Sequence, residues 1–146
     1  MTDTTTTDEL DRIDRSIDID APAERVWALI SRPGWWINEG TIDPEPAVER
    51  ESDDVVVVNH PEHGDFRIRT VELAEPRYAA FRWLGDDTAG TLVEFRVEDR
   101  PGGVVLRVSE SGFSGLSDDR ATWLKAREGN VEGWGIELEA ARTYLT

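Results

Sequence analysis

Apolar and polar residues alternate in short runs along most of this chain, and a helical period takes over in only two places. Ile17 and Ile19 alternate with Asp18 and Asp20, so residues 13–20 read as a strand with one buried face. The segment Asp20-Ala21-Pro22-Ala23-Glu24 then puts a proline at the first helical position and an acid in the first turn. That predicts a helix whose apolar face is Val26, Trp27 and Ile30, stopped by Pro33 and Gly34. Residues 34–54 hold no clear period: Trp35, Trp36 and Ile37 lead into an acidic, proline-rich stretch.

Strands at short spacing follow, over residues 55–58, 66–73, 78–84, 91–98 and 104–110. Gly85-Asp86-Asp87 closes the third of these, and Arg100-Pro101-Gly102-Gly103 is a strong turn signal between the last two. Connections this short make neighbours antiparallel, as in a meander. In the last third, Asp118 and Asp119 suit a helix start. Val131, Trp134, Leu138, Ala141 and Leu145 then recur at spacings of three and four, as one apolar stripe. Gly129, Gly133 and Gly135 each weaken this helix by about 1 kcal/mol. Gly133 and Gly135 read as positions where the sheet approaches closely, and Gly129 as a place where the helix can break. The expected class is α+β: a curved antiparallel sheet around a long C-terminal helix, with a short helix after the first strand. Residues 1–10, rich in Thr and Asp, read as a disordered tail, and residues 11–146 as a single domain.

Charge narrows the choice of partners. With 31 acidic residues against 16 basic ones, the net charge of −15 repels phosphate backbones and anionic lipid surfaces. A nucleic-acid partner is therefore not expected. The basic residues are 15 Arg and the single Lys125, a bias that fits either a G- and C-rich genome or a high-salt habitat. With no cysteine, the chain has no disulfide, thiolate metal site or cysteine nucleophile. It has no apolar run of the ~20 residues that span a bilayer, and its first residues form no secretory signal, so membrane insertion is not expected and a cytoplasmic location is.

Strand parity selects candidate site residues. If Val93, Phe95 and Val97 face inward, Leu106, Val108 and Glu110 on the next strand face inward with them. Glu110 then stands at the end of an apolar face, with a raised pKa, as an acid or an anchor for a ligand hydroxyl. Alternatively it reaches solvent or pairs with an arginine. Phe81 and Trp83 form an inward aromatic pair, which with Trp35, Trp36, Phe66 and Trp134 makes a set that either lines a pocket or packs as core. Leu138 extends the helix side of that set. His60 and His63 have the spacing H-x-x-H, but Pro61 and Gly64 place them in a turn. Glu62 and Asp65 are near and no third ligand is evident, so a solvated hairpin is expected there and no metal. Arg67 and Arg69 fall on the outer face; in the opposite register they would be an anion anchor. Nucleophile-elbow, phosphate-loop and dinucleotide motifs are all missing, so no catalytic residue is assigned.

The order of elements and several local motifs resemble the SRPBCC (START-like, helix-grip) superfamily, in the branch named after the activator of heat-shock-protein-90 ATPase homologue. The resemblance rests on Ile19-Asp20-Ala21-Pro22 with Glu24, Val26 and Trp27, and on the Trp35-Trp36 pair. It continues through Val71-Glu72-Leu73 with Pro76 and Phe81-Arg82-Trp83, then Thr91-Leu92-Val93-Glu94-Phe95 with residues 103–108. Glu110-Ser111-Gly112-Phe113 and Gly133-Trp134 complete it. The set spans residues 13–145, and residues 38–54 depart from the pattern by their acidity and prolines. The resemblance implies a cavity between the concave sheet and the last helix, and in such a fold the aromatic set reads as its lining. The implied function is binding of a small hydrophobic or amphipathic molecule without a cofactor, by a monomer or dimer. Two alternatives stand beside it: a cyclase- or hydrolase-like enzyme using Glu110 in the same cavity, and a chaperone-cofactor-like interaction domain with an apolar patch at Trp35 and Trp36.

Overall fold

Inward positions on the strands decide how the chain closes. The computed structural model describes residues 10–85 and 90–146. Residues 1–9 of the expected tail, and Asp86 and Asp87 of the expected turn, lie outside the described residues. In chain order the elements are β1 (Arg12–Ile19), α1 (Ala23–Ile30), β2 (Val48–Arg50), β3 (Val55–His60), β4 (Gly64–Ala74), β5 (Tyr78–Leu84), β6 (Thr91–Arg100), β7 (Gly103–Ser111) and α2 (Arg120–Leu145). A single 3₁₀ turn, Phe113–Gly115, precedes α2. The strands form one antiparallel sheet in the order β1-β7-β6-β5-β4-β3-β2, and this sheet grips α2, the helix-grip arrangement.

The period-two pattern explains the inner face. Thr91, Val93, Phe95 and Val97 of β6 are buried, while the residues between them are not. In the β6–β7 register Val93 lies opposite Glu110, Phe95 opposite Val108 and Val97 opposite Leu106, so the two strands present one continuous inner row. Against it pack Trp134, Leu138, Ala141 and Leu145 of α2, all buried at helical spacing.

Three local expectations are corrected. Pro22 is the N-cap of α1 rather than its first helical residue: its extended backbone lets its carbonyl accept from the N–H of Arg25 and Val26, at 3.0 and 3.2 Å. Helix α2 runs unbroken through Gly129, because the buried Trp123 before it and the buried positions from Trp134 to Leu145 after it outweigh the intrinsic cost of three glycines. Gly135 does pack closely, since a Cβ there would lie 3.2 Å from the Arg15 guanidinium, but at Gly133 a Cβ would meet nothing within 4 Å. The stretch without a period contributes the three-residue edge strand β2 and buries Ile42. Among the described residues no helix is long and apolar enough to cross a membrane.

The turn between β6 and β7 supplies a test of backbone closeness. Gly102 has φ +83° with open space around it, whereas a Cβ on Gly103 would sit 2.1 Å from the carbonyl oxygen of Ile19. Gly102→Ala is expected to cost about 1 kcal/mol of backbone strain. Gly103→Ala is expected to cost about 3 kcal/mol, because β1 must move away from β7. Urea unfolding midpoints at constant slope check the order; equal losses would refute it.

Candidate functional site

The inward end of β7 places a carboxylate under the C-terminal helix. Glu110 is fully buried. Thr91 Oγ1 donates to it at 2.5 Å, Trp134 Nε1 at 2.8 Å, and Asn130 Nδ2 to both of its oxygens at 3.0 and 3.2 Å. Asn130 and Trp134 stand four residues apart, one helical turn, which is why both reach the same group. Burial raises the Glu110 pKa, and the hydrogen bonds from Thr91, Trp134 and Asn130 pull it partly back. Four hydrogen bonds occupy the roughly four acceptor positions of a carboxylate, so Glu110 fastens helix to sheet and has little capacity left to anchor a ligand.

Trp36 sits at the centre of the aromatic set. Its ring centroid lies 5.5–5.8 Å from those of Phe81, Trp83, Phe95 and Trp134, and 6.2 Å from Trp35. Phe66 extends the set through Trp83 at 6.2 Å. These rings divide into two groups. Trp35, Phe81 and Phe95, with Val108 and Leu138, are buried in the core and do not line the cavity described next. Trp36, Phe66, Trp83 and Trp134 line a cavity of about 190 Å³ between the sheet and α2.

The rest of that lining was not assigned to a cavity from the sequence: Ile37, Asn38, His60, His63, Asn130, Gly133 and Glu137, of which the two histidines were read as a solvated turn and Gly133 as a contact with the sheet. Glu137 is the most informative of these. Only 6% of it is exposed. The Gly40 N–H donates to its Oε2 at 3.2 Å, while Oε1 has no hydrogen-bond partner among the described residues. Burial pushes its pKa up to about 7, against smaller opposing effects of the Gly40 N–H and of the nearby Asn38 side chain, whose amide favours the charge without meeting the geometry of a hydrogen bond to Oε1. The buried indole nitrogen of Trp36 is likewise unpartnered among the described residues. Asn130, Trp134 and Glu137 recur at four and three, so a polar pair embedded in an apolar stripe was the signal available in the sequence.

Two other depressions bear on the site. One of about 430 Å³ shares His63, Phe66, Trp83 and Asn130 with the cavity and extends to Thr91 and Glu110. A larger one, about 750 Å³, lies along α2 beside residues 40–42 and has half-exposed Ile136 in its wall. It contains no buried, unpartnered polar group among the described residues, so size alone does not make it the site.

At the rim, His60 and His63 meet a third group that sequence spacing did not indicate. Glu39, not Glu62 or Asp65, brings its carboxylate to within 4.8 Å of both imidazoles, and lies 3.3 Å from His63 Nε2. The Nδ1 of His60 accepts the backbone N–H of both Glu62 and His63, at 3.1 Å each. In the neutral ring the proton is then on Nε2, which leaves no nitrogen lone pair for a cation. The geometry is that of a histidine holding its own turn. Arg67 and Arg69 are exposed on the outer face and pair with Glu51 and Asp54.

Residues 20–145 match the model of the family described as Activator of Hsp90 ATPase homolog 1-like protein. No curated protein matches the sequence. Among solved structures, the chain is similar to the Aha1 dimer from Colwellia psychrerythraea, with a TM-score of 0.68 and 15% identity over 92% of this chain and 95% of that one. It is also similar to a protein from Bacillus halodurans, with a TM-score of 0.67 and 20% identity over 92% and 96%. A polyketide-cyclase-like protein from Corynebacterium glutamicum gives a TM-score of 0.60 and 19% identity over 92% and 90%. At these identities the structural likeness establishes the fold.

The raised pKa of Glu137 has a sign that can be measured. Its pKa rises from 4.5 to about 7 on folding, so the folded state binds the proton more tightly. The stability this confers is fully present below about pH 4.5 and is lost as pH rises through about 7. Glu137→Gln, a neutral isostere, is expected to be more stable than the parent above that pH. The gain is up to about 3 kcal/mol, since each tenfold change in proton affinity is worth about 1.4 kcal/mol. Glu110 titrates in the same sense but is present in both proteins, so the difference between them isolates Glu137. Urea unfolding across the range checks this; a variant less stable than the parent at alkaline pH would refute it.

Proposed function

This chain belongs to the Activator of Hsp90 ATPase homolog 1-like family, and on that premise we propose that it binds a small hydrophobic or amphipathic molecule in the cavity between its sheet and α2. The observation that carries the reading is the cavity itself: four aromatic side chains on its wall together with one buried carboxylate whose Oε1 no described protein group satisfies. Ligand sites are mostly apolar with a few placed polar groups, and a buried polar atom left unpaired is costly unless something binds it. A binder is favoured over an enzyme because the hydrogen bonds on Glu110 already engage both of its oxygens. The reading takes residues 11–146 as one binding domain acting in the cytoplasm. A dimer is described for the Colwellia psychrerythraea relative, and a native mass spectrum reads whether this chain is a monomer or a dimer.

Native mass spectrometry of protein purified from its own host, compared with the same sample after denaturation, is the direct test. A small molecule released on unfolding supports the reading. A substitution pair then locates it. Gly133 lines the cavity and Gly129 does not, and a Cβ at either would meet nothing within 4 Å. Both Gly133→Leu and Gly129→Ala are expected to stabilise α2 by about 1 kcal/mol. Only Gly133→Leu is expected to expel the bound molecule, because its side chain fills the cavity. Retention of the ligand by Gly133→Leu would place the binding elsewhere.

A further inference from the structure

If the cavity holds a ligand, its two nearby carboxylates constrain the charge of that ligand. The ion pairs among the described residues join surface groups, and none includes Glu110 or Glu137. Glu137 lines the cavity directly, and Glu110 bears on the same wall through its hydrogen bonds from Asn130 and Trp134. An anionic ligand would meet the carboxylate of Glu137 on the wall, with that of Glu110 behind Trp134. A neutral hydroxyl would satisfy the free Oε1 of Glu137 but leave the negative charge without a counter-charge. Four aromatic rings, those of Trp36, Phe66, Trp83 and Trp134, make up much of the remaining wall, and the faces of such rings attract cations. On the reading that this cavity holds a ligand, we infer that its occupant is an organic cation: an ammonium whose N–H donates to Glu137 and whose apolar body lies among Trp36, Phe66, Trp83 and Trp134.

The size of the cavity, about 190 Å³, limits that body to a single ring with a short chain. Other groups able to modulate the charge at Glu137 are His60 and His63 on the rim, Glu39 paired with His63, and Glu110 behind Trp134. Substitution of Glu137 separates its own contribution from theirs.

Calorimetric titration with phenethylamine and with its neutral isostere phenethyl alcohol, on the intact chain and on Glu137→Gln, tests the inference. A primary amine keeps its proton across the range, so at about pH 8 the amine is expected to bind the parent roughly tenfold or more tightly than the alcohol. That preference is expected to shrink at about pH 6 and to vanish in Glu137→Gln. Equal or tighter binding of the alcohol to the parent would overturn the cation and leave the cavity reading intact. A preference that survives Glu137→Gln would overturn the assignment to Glu137. Binding of neither probe would overturn both the cation and the cavity as a ligand site.

Discussion

The junction between sheet and helix depends on one buried carboxylate. Glu110 has no ion-pair partner among the described residues, and a carboxylate so placed is tolerable only when its oxygens are hydrogen-bonded. Those bonds come from β6 and from two positions one turn apart on α2, so rotating or sliding the helix would break several at once. Apolar packing alone is forgiving of small shifts. The hydrogen bonds set the rotation of the helix, and that rotation turns Trp134 toward Trp36 and brings Asn130, Gly133 and Glu137 to the cavity wall.

From that fixed geometry follows the position of the cavity. Along most of the grip the space is filled: Phe81, Phe95, Val108 and Leu138 are buried, and Trp35 packs on Phe95 at 5.4 Å. Filling stops where the helix carries Gly133, which has no side chain to offer, and where Glu137 follows one turn later. The loop after α1 completes the wall: the Gly40 N–H holds one oxygen of Glu137, and Asn38 also acts on it. Asn38 is itself fixed, donating to the Trp35 carbonyl at 2.9 Å and accepting from the Gly40 N–H at 3.0 Å. The acidic, proline-rich segment thus begins as part of the cavity before it runs out to the sheet edge.

The fold was legible in the sequence because period-two burial on β6 and β7 and the stripe on α2 are one-dimensional signals of one-sided packing. Strand parity placed Glu110 beside Val108 and Leu106 on the inner face from spacing alone. What parity could not supply was the partner. Whether Glu110 meets solvent, an arginine or an asparagine depends on the rotation of a helix some twenty residues away in sequence. The same limit applied to the aromatic set, where burial is readable residue by residue but the division into filled core and open wall depends on where a side chain is missing. Gly133 was therefore read as a contact with the sheet, although it faces open space. Glu39 reaches the two histidines through a long loop, a juxtaposition no local spacing encodes.

Glu137 shows how a site differs from the scaffold around it. Replacing it by an apolar residue would extend the buried stripe of Trp134, Leu138 and Ala141, yet the position holds an acid whose ionisation near neutral pH opposes folding. At Glu110, by contrast, hydrogen bonds offset the cost of burying an acid. The charge of the whole chain acts in the same direction as this one group. A net charge of −15 draws cations toward the surface and holds anions away, but at physiological ionic strength that field is screened within about 8 Å. Surface acidity can raise the local concentration of a cation at the rim without selecting it. Selection needs a charge inside the wall, where water screens it less, and among the residues lining the cavity Glu137 is the one buried carboxylate.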